Sequence, residues 1–249
     1  MNTFFLRPAA AALVLAASSV ASVASAQDKP DGQFHGAATL GAAFSSGAVN
    51  NTTISAGFDT ARKTADDKLS LYGVAARGST KVLGVTAVTS DLYRLGGRYD
   101  KDLSKQVFAF VSGELEKNGV TSLDLRAAAY AGAGYHVIAT PVTTFDVFGG
   151  VGYNHFKYKR AGSDGAVELM LGEESSHKLS DTTTFKQRLV IFPSTDTDFG
   201  YRAQFDAGLG VAMSSALTLN VNATARYANK VYVAKKTETM LTVGVGYKF

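Results

Sequence analysis

The feature that most constrains the fold of this chain is an alternation of apolar and polar residues with a period of two. Between Leu217 and Tyr227, apolar or aromatic side chains occupy every odd position, whereas Thr, Asn and Arg occupy the even positions. The segment from Leu241 to Phe249 repeats this pattern, with Thr, Gly and Lys at its even positions. Such alternation predicts β-strands with one apolar face and one polar face.

The alternation recurs along the chain in segments that are long for a soluble protein. Strands in globular domains usually have about 5–6 residues, whereas a tilted strand needs about 9–11 residues to cross a bilayer. A soluble β-sandwich also alternates and is the structural alternative, but the segment lengths favour a membrane barrel. The twelve segments are 33–46, 51–64, 68–79, 89–100, 106–117, 121–138, 144–158, 167–179, 184–193, 199–212, 217–229 and 237–249. In the eighth segment, Glu173 interrupts the apolar face that Leu169 and Leu171 set.

Tight polar breaks alternate with more varied and often longer ones, which is typical of a transmembrane barrel with short periplasmic turns and longer outer loops. Unpaired backbone groups are costly in lipid, so we expect an all-β, closed antiparallel up-and-down barrel of about 12 strands. An even strand number places both termini on the periplasmic side. The tight breaks are 65–67, 101–105, 139–143, 180–183 and 213–216. The longer breaks include 80–88, 159–166 and 229–236.

The first residues have the pattern of an export signal. Arg7 precedes an apolar run at 9–17, and the small residues Ala24 and Ala26 mark a signal peptidase site. The apolar run is too short to span about 30 Å of hydrocarbon as a helix. We therefore predict a signal peptide at 1–26, cleaved after Ala26. A flexible periplasmic tail at 27–32 and a barrel domain at 33–249 in the outer membrane follow it.

Many charged side chains have the parity that faces the lumen of such a barrel. Neighbouring strands place Arg94 beside Glu114, and Glu114 and Glu116 near Arg126. These charges could form a structural network that fills the barrel, or a selectivity ring in a pore. Barrels of eight strands are filled and those of 16–18 are open, so twelve strands do not decide between the two. The candidate lumen network comprises Arg94, Arg98, Glu114, Glu116, Asp124, Arg126, Arg202, Asp206, Arg226 and Glu238.

The sequence offers no catalytic, cofactor or metal site. The four histidines are His35, His136, His155 and His177, and none pairs with a serine of matching parity to give a nucleophile and its base. The chain has no cysteine and no close histidine spacing for a metal. A formal net charge of +4 is too mild to indicate a nucleic-acid partner.

Several motifs resemble those of the salt-induced outer-membrane protein family, often called YdiY-like. The resemblance covers nearly all of the chain after residue 26, although 158–172 departs from it. It implies an outer-membrane barrel of unknown function with a structural or envelope-stress role. A small-solute or ion channel is the alternative, and a lipid-modifying enzyme is a more distant one. The similar motifs lie at 40–51, 93–100, 124–126, 132–136, 178–185 and 247–249.

The last residues resemble the signal by which outer-membrane barrels are assembled. Tyr247 and the terminal Phe249 end an alternating strand, and such a strand must pair with the first one to remove both sheet edges. We therefore expect the barrel-assembly machinery and periplasmic chaperones as partners during biogenesis. Outer-membrane lipid and lipopolysaccharide are the expected surroundings of the folded barrel.

Overall fold

A computed structural model describes residues 30–45, 50–82, 85–159, 162–196, 200–229 and 236–249. The predicted signal peptide at 1–26 lies outside these residues, as do positions 27–29 of the predicted tail. The described part of the chain folds into twelve β-strands. They are β1 (Phe34–Ser45), β2 (Asn50–Lys63), β3 (Asp67–Val82), β4 (Val85–Asp102), β5 (Val107–Asn118), β6 (Leu123–Ala139), β7 (Thr143–Tyr158), β8 (Gly162–Lys178), β9 (Thr183–Pro193), β10 (Tyr201–Ala212), β11 (Leu217–Ala228) and β12 (Thr237–Lys248).

Each strand pairs with its sequence neighbours in antiparallel fashion, and β12 pairs with β1 to close the barrel. The register places Ala38 opposite Tyr247 and Gly41 opposite Gly244. At the end of the chain, Phe249 and Gly36 exchange two backbone hydrogen bonds of 3.1 Å each. The prediction of a closed, antiparallel, up-and-down barrel of twelve strands is therefore confirmed.

The barrel carries its apolar side chains on the outside. Leu40 is 72% exposed and Leu241 is 67% exposed, whereas Ala37 and Asn220, which face the lumen, are fully buried. This is the reverse of the distribution of apolar and polar side chains in a soluble protein, and it matches a wall that contacts acyl chains. Among the described residues, no helix has the length and apolarity needed to cross a membrane.

The predicted contrast between short periplasmic turns and longer outer loops holds at only two of the outer connections. Two residues separate β3, which ends at Val82, from β4, which begins at Val85, and β8 already begins at Gly162. Residues that were expected in long loops therefore extend the strands. At the break between β3 and β4, the β-branched Thr and Val residues on either side suit a paired strand. The connections from β9 to β10 and from β11 to β12 remain long.

The described part of the predicted tail contacts the end of the barrel at which β1 begins and β12 ends. The Gly32 amide donates to the Lys63 carbonyl at 2.9 Å. Asp31 accepts from the Gln33 amide at 2.9 Å and lies 2.7 Å from His35. The Gln33 amide, with a contribution from His35, lowers the pKa of the Asp31 carboxyl from its ordinary value. These contacts tie residues 31–33 to β1 and β2.

Candidate functional site in the barrel lumen

Two arginines and two glutamates from three adjacent strands meet inside the barrel. Arg94 on β4 lies opposite Glu116 on β5, which in turn lies opposite Arg126 on β6. Arg94 Nη2 donates to Glu116 Oε2 at 2.6 Å, and Arg126 Nη2 donates to the same oxygen at 2.8 Å. Glu114 accepts from Arg126 and from the Tyr72 hydroxyl. We call Arg94, Glu114, Glu116 and Arg126 the central ion-pair cluster.

One contact of this cluster crosses the whole lumen. Arg226 Nη1 on β11 lies 3.8 Å from Glu116 Oε1 on β5, and these strands are six positions apart in the closed order of twelve. Strands so related stand on opposite walls. The two side chains therefore bridge the barrel at its widest separation.

A second group of polar side chains is centred on Glu168 of β8. Arg202 on β10 donates to both Glu168 oxygens, at 2.7 and 3.2 Å. The Tyr130 hydroxyl donates to Glu168 at 2.6 Å, and Asn154 Nδ2 donates to it at 3.2 Å. Glu168 is almost fully buried, so its charge depends on these donors for compensation.

A third group connects β4 to β8, four strands away in the closed order. Arg98 donates to Asp100 at 2.6 Å and lies 3.4 Å from Glu174 on β8, which is also 3.4 Å from Arg188. The Arg98 guanidinium lies over the rings of three phenylalanines, at 4.6 to 5.5 Å from their centroids, a distance suited to cation–π attraction. The rings belong to Phe108, Phe110 and Phe148.

The structure does not bring all of the candidate network residues together. Asp124 lies at a bulge between Leu123 and Leu125 and pairs with the exposed Lys157 at 3.7 Å. Asp206 faces the lumen, where it accepts from Gln204 and Thr224 at 2.6 and 2.7 Å.

The remaining candidates lie on the last strand. The Glu238 backbone pairs with that of Arg226, but the Glu238 side chain lies outside the described part of the structure. Tyr247 and Phe249 are more than half exposed on the outer wall. Both therefore face the surface that meets lipid.

An apolar cluster in the lumen was not foreseen from the sequence. Its buried members pack together on the inner face of β5 to β9, and Phe192 packs against them. On β5, aromatic residues occupy alternate positions and have the same parity as Glu114 and Glu116, which face the lumen. This pattern is the feature of the sequence from which the cluster could have been predicted. The buried members are Phe108, Phe110, Ala128, Tyr130, Phe148, Met170 and Val190.

The wall formed by β1, β11 and β12 has a different character. Asn220 and Asn222 on β11 face the lumen next to Thr242 of β12 and Thr39 of β1. The side-chain oxygens of these four residues are buried and have no hydrogen-bond partner among the described residues. These four side chains are polar and uncharged.

The described histidines do not form a catalytic pair with a serine. His155 on the outer wall lies opposite Ala127 and Gly165. His136 faces the lumen, where its ring nitrogens lie 2.7 Å from Asp146 and 3.3 Å from Asp102. Within the described ranges, no three His, Cys, Asp or Glu side chains are arranged to hold a metal ion.

Comparison with solved structures gives outer-membrane barrels at low sequence identity. The NanC porin has a TM-score of 0.52 and 12% identity, over 86% of this chain and 100% of that chain. The translocator domain of the autotransporter NalP from Neisseria meningitidis has a TM-score of 0.49 and 15% identity, over 86% and 87%. The likeness to NanC supports the barrel fold alone. No curated protein matches the chain.

The comparison with protein families identifies the chain more directly. A family described as "Protein of unknown function, DUF481" matches residues 38–249, which is the whole barrel except the first residues of β1. The resemblance to an outer-membrane barrel family of unknown function is thereby confirmed, whereas the YdiY-like name and the salt response stay predictions. This chain belongs to the DUF481 family.

Proposed function

We propose that this chain is a structural barrel of the outer membrane whose lumen is filled by its own side chains, and that it is not an open diffusion pore. The observation that carries the proposal is the contact between Glu116 and Arg226, which joins opposite walls. A porin lumen is polar and filled with water. Here the ion pairs and the buried aromatic cluster occupy the space that a pore requires.

The sign of the lumen charges also supports a structural role. A selectivity ring presents one sign of charge to the permeating ion. The central ion-pair cluster contains two cations and two anions in direct contact, so its charges compensate each other. Compensated pairs stabilise a filled interior but offer little attraction to a solute of either sign.

Planar-bilayer recording of the purified wild-type protein tests this proposal. We expect no discrete conductance steps, and no swelling of proteoliposomes in isosmotic sugar. Reproducible steps whose amplitude rises linearly with voltage would contradict the structural proposal.

A narrow channel is the second candidate, and the group of uncharged polar side chains on β1, β11 and β12 favours it. The buried oxygens of Asn220, Asn222, Thr39 and Thr242 have no partner in the described part of the chain and could accept hydrogen bonds from water or from an uncharged polar solute. If the wild-type protein conducts, Asn220→Leu should reduce the conductance, whereas Asp124→Asn at the outer rim should not.

The place of the barrel in the cell is part of the same proposal. We expect export with cleavage after Ala26, insertion by the barrel-assembly machinery with the help of periplasmic chaperones, and contact with phospholipid and lipopolysaccharide. The role we assign includes no enzymatic step. A salt-stress function predicts that a deletion strain grows more slowly than its parent at high NaCl and equally well at low NaCl.

A further inference from the structure

A polar patch interrupts the lipid-facing wall on β8 and β9. Glu173, Ser175 and His177 occupy successive outward positions of β8, and Gln187 on β9 lies opposite Ser175. Thr143 on β7 lies opposite His177. We call these five residues the β8–β9 polar patch. Their neighbours on the same face are apolar, so the patch is a local exception.

The hydrogen bonds within the patch leave part of its polar capacity unused. Gln187 Nε2 donates to the two Glu173 carboxylate oxygens over long distances of 3.4 and 3.5 Å. Ser175 is only 6% exposed, and its hydroxyl has no hydrogen-bond partner among the described residues. His177 Nδ1 lies 3.3 Å from the Thr143 hydroxyl. The Glu173 carboxylate can therefore accept further hydrogen bonds.

A carboxylate on this wall is unfavourable if lipid is its only neighbour. Glu173 lies opposite Val147 and Leu189 and follows Leu171 on its own face of β8, where an apolar side chain would be preferred. Ionisable groups within a membrane usually face a polar partner. We propose that this partner is a second copy of the chain, and that the β8–β9 polar patch is the centre of a two-fold dimer interface.

The order of the polar groups with depth favours a second copy over a lipid headgroup. With the termini on the periplasmic side, β8 runs toward the periplasm, so Glu173 lies deepest and His177 lies nearest the surface. In phosphatidylethanolamine the ammonium lies farther from the acyl chains than the phosphate. To reach Glu173, the ammonium would therefore have to lie deeper in the membrane than the donors at Ser175 and His177, which is the reverse of the order within the headgroup.

A second copy of the chain has its polar groups in the same order of depth as the patch that it meets. A two-fold axis parallel to the membrane normal brings each patch to the same depth as its counterpart. The Gln187 amide of one copy then faces the Glu173 carboxylate of the other, so each carboxylate meets an amide donor instead of the other carboxylate. Val147, Leu171 and Leu189 surround the polar centre and are exposed on this wall, where they supply apolar contacts.

The oligomeric state of the full barrel in nanodiscs of phosphatidylethanolamine and phosphatidylglycerol tests the proposal. We expect two copies per particle for the wild type by native mass spectrometry. The double variant Glu173→Leu with Gln187→Leu should give one copy. Thr60→Leu, an outward substitution on β2 at the opposite wall, is the control and should leave two copies.

Three outcomes would overturn the proposal: a monomeric wild type, a wild-type trimer, or a Glu173→Leu/Gln187→Leu variant that remains dimeric. Leucine suits a lipid-facing position, so the double variant should fold, and heat-dependent gel mobility verifies this. A second measurement uses the absence of cysteine from the chain. A short bifunctional maleimide should link Leu171→Cys, which is 55% exposed beside the patch, into dimers far more than Ala56→Cys on β2, and equal linkage would also overturn the proposal.

Discussion

At the scale of single residues, Glu116 is the point at which the electrostatics of the lumen converge. It contacts Arg94 at 2.6 Å and Arg126 at 2.8 Å, and Arg226 lies 3.8 Å away. Transfer of these charges from water into the barrel interior is costly, and only their close pairing offsets that cost. Without this carboxylate, Glu114 alone would compensate Arg94 and Arg126 in the cluster, and Arg226 would lose its contact with Glu116.

Glu116→Leu is therefore expected to lower the free energy of unfolding by about 3–5 kcal/mol, the usual cost of breaking a buried ion pair. Asp124→Asn is the matched control, because its partner Lys157 is exposed and exposed pairs contribute about 0–1 kcal/mol. Urea titration of the refolded barrel, followed by circular dichroism, measures both. Similar losses for the two variants would contradict the assignment of Glu116 to a buried network.

At the scale of the strands, parity decides whether a side chain meets lipid or the lumen. Val243 on β12 is 53% exposed on the outer wall, whereas its neighbour Thr242 faces inward next to Asn222. The two positions share a strand and a depth, but their environments differ completely. An identical substitution at both sites isolates the effect of the environment.

Val243→Arg is expected to destabilise the barrel by about 2–4 kcal/mol, because its charge would face the hydrocarbon. Thr242→Arg should cost much less, since the lumen provides polar groups around it. Urea titrations of both variants in phospholipid vesicles measure the difference. If Thr242→Arg is as destabilising as Val243→Arg, the assigned parity of β12 is wrong.

We expect the last strand to have a role in assembly as well. Among the described residues, the register of β12 with β1 shows five residue pairs, against twelve between β1 and β2. The hydrogen bonds between Phe249 and Gly36 add to this short seam. The stability of a seam with few residue pairs depends strongly on the residues at its end.

Deletion of Phe249 should reduce the level of the barrel in the outer membrane well below that of the wild type. In vitro it should cost only about 1.5–3 kcal/mol, the transfer energy of one apolar side chain. Immunoblots of outer-membrane fractions and refolding in detergent compare the two effects. Wild-type levels in cells would show that Phe249 is no assembly signal.

At the scale of the whole molecule, the sequence predicted the architecture but not the connections across the lumen. Strand parity follows directly from a period of two, so Arg94, Glu116 and Arg226 were predicted to face inward. That Glu116 meets Arg226 depends on the diameter and stagger of the closed barrel, which local patterns do not contain. Asp124 was predicted for the same network, but it lies at a one-residue bulge and pairs with the exposed Lys157, and nothing in the local alternation marks that bulge.

Conductance of a variant that lacks the lumen-crossing pair tests the central claim, that side chains close this barrel. Glu116→Ser with Arg226→Ser shortens both partners of the contact, and Asp124→Asn with Lys157→Gln removes a comparable pair at the outer rim. In planar bilayers, the wild type and the rim variant should stay silent, whereas the lumen variant should show discrete steps. A silent lumen variant, or a wild type that conducts equally well, would contradict the claim.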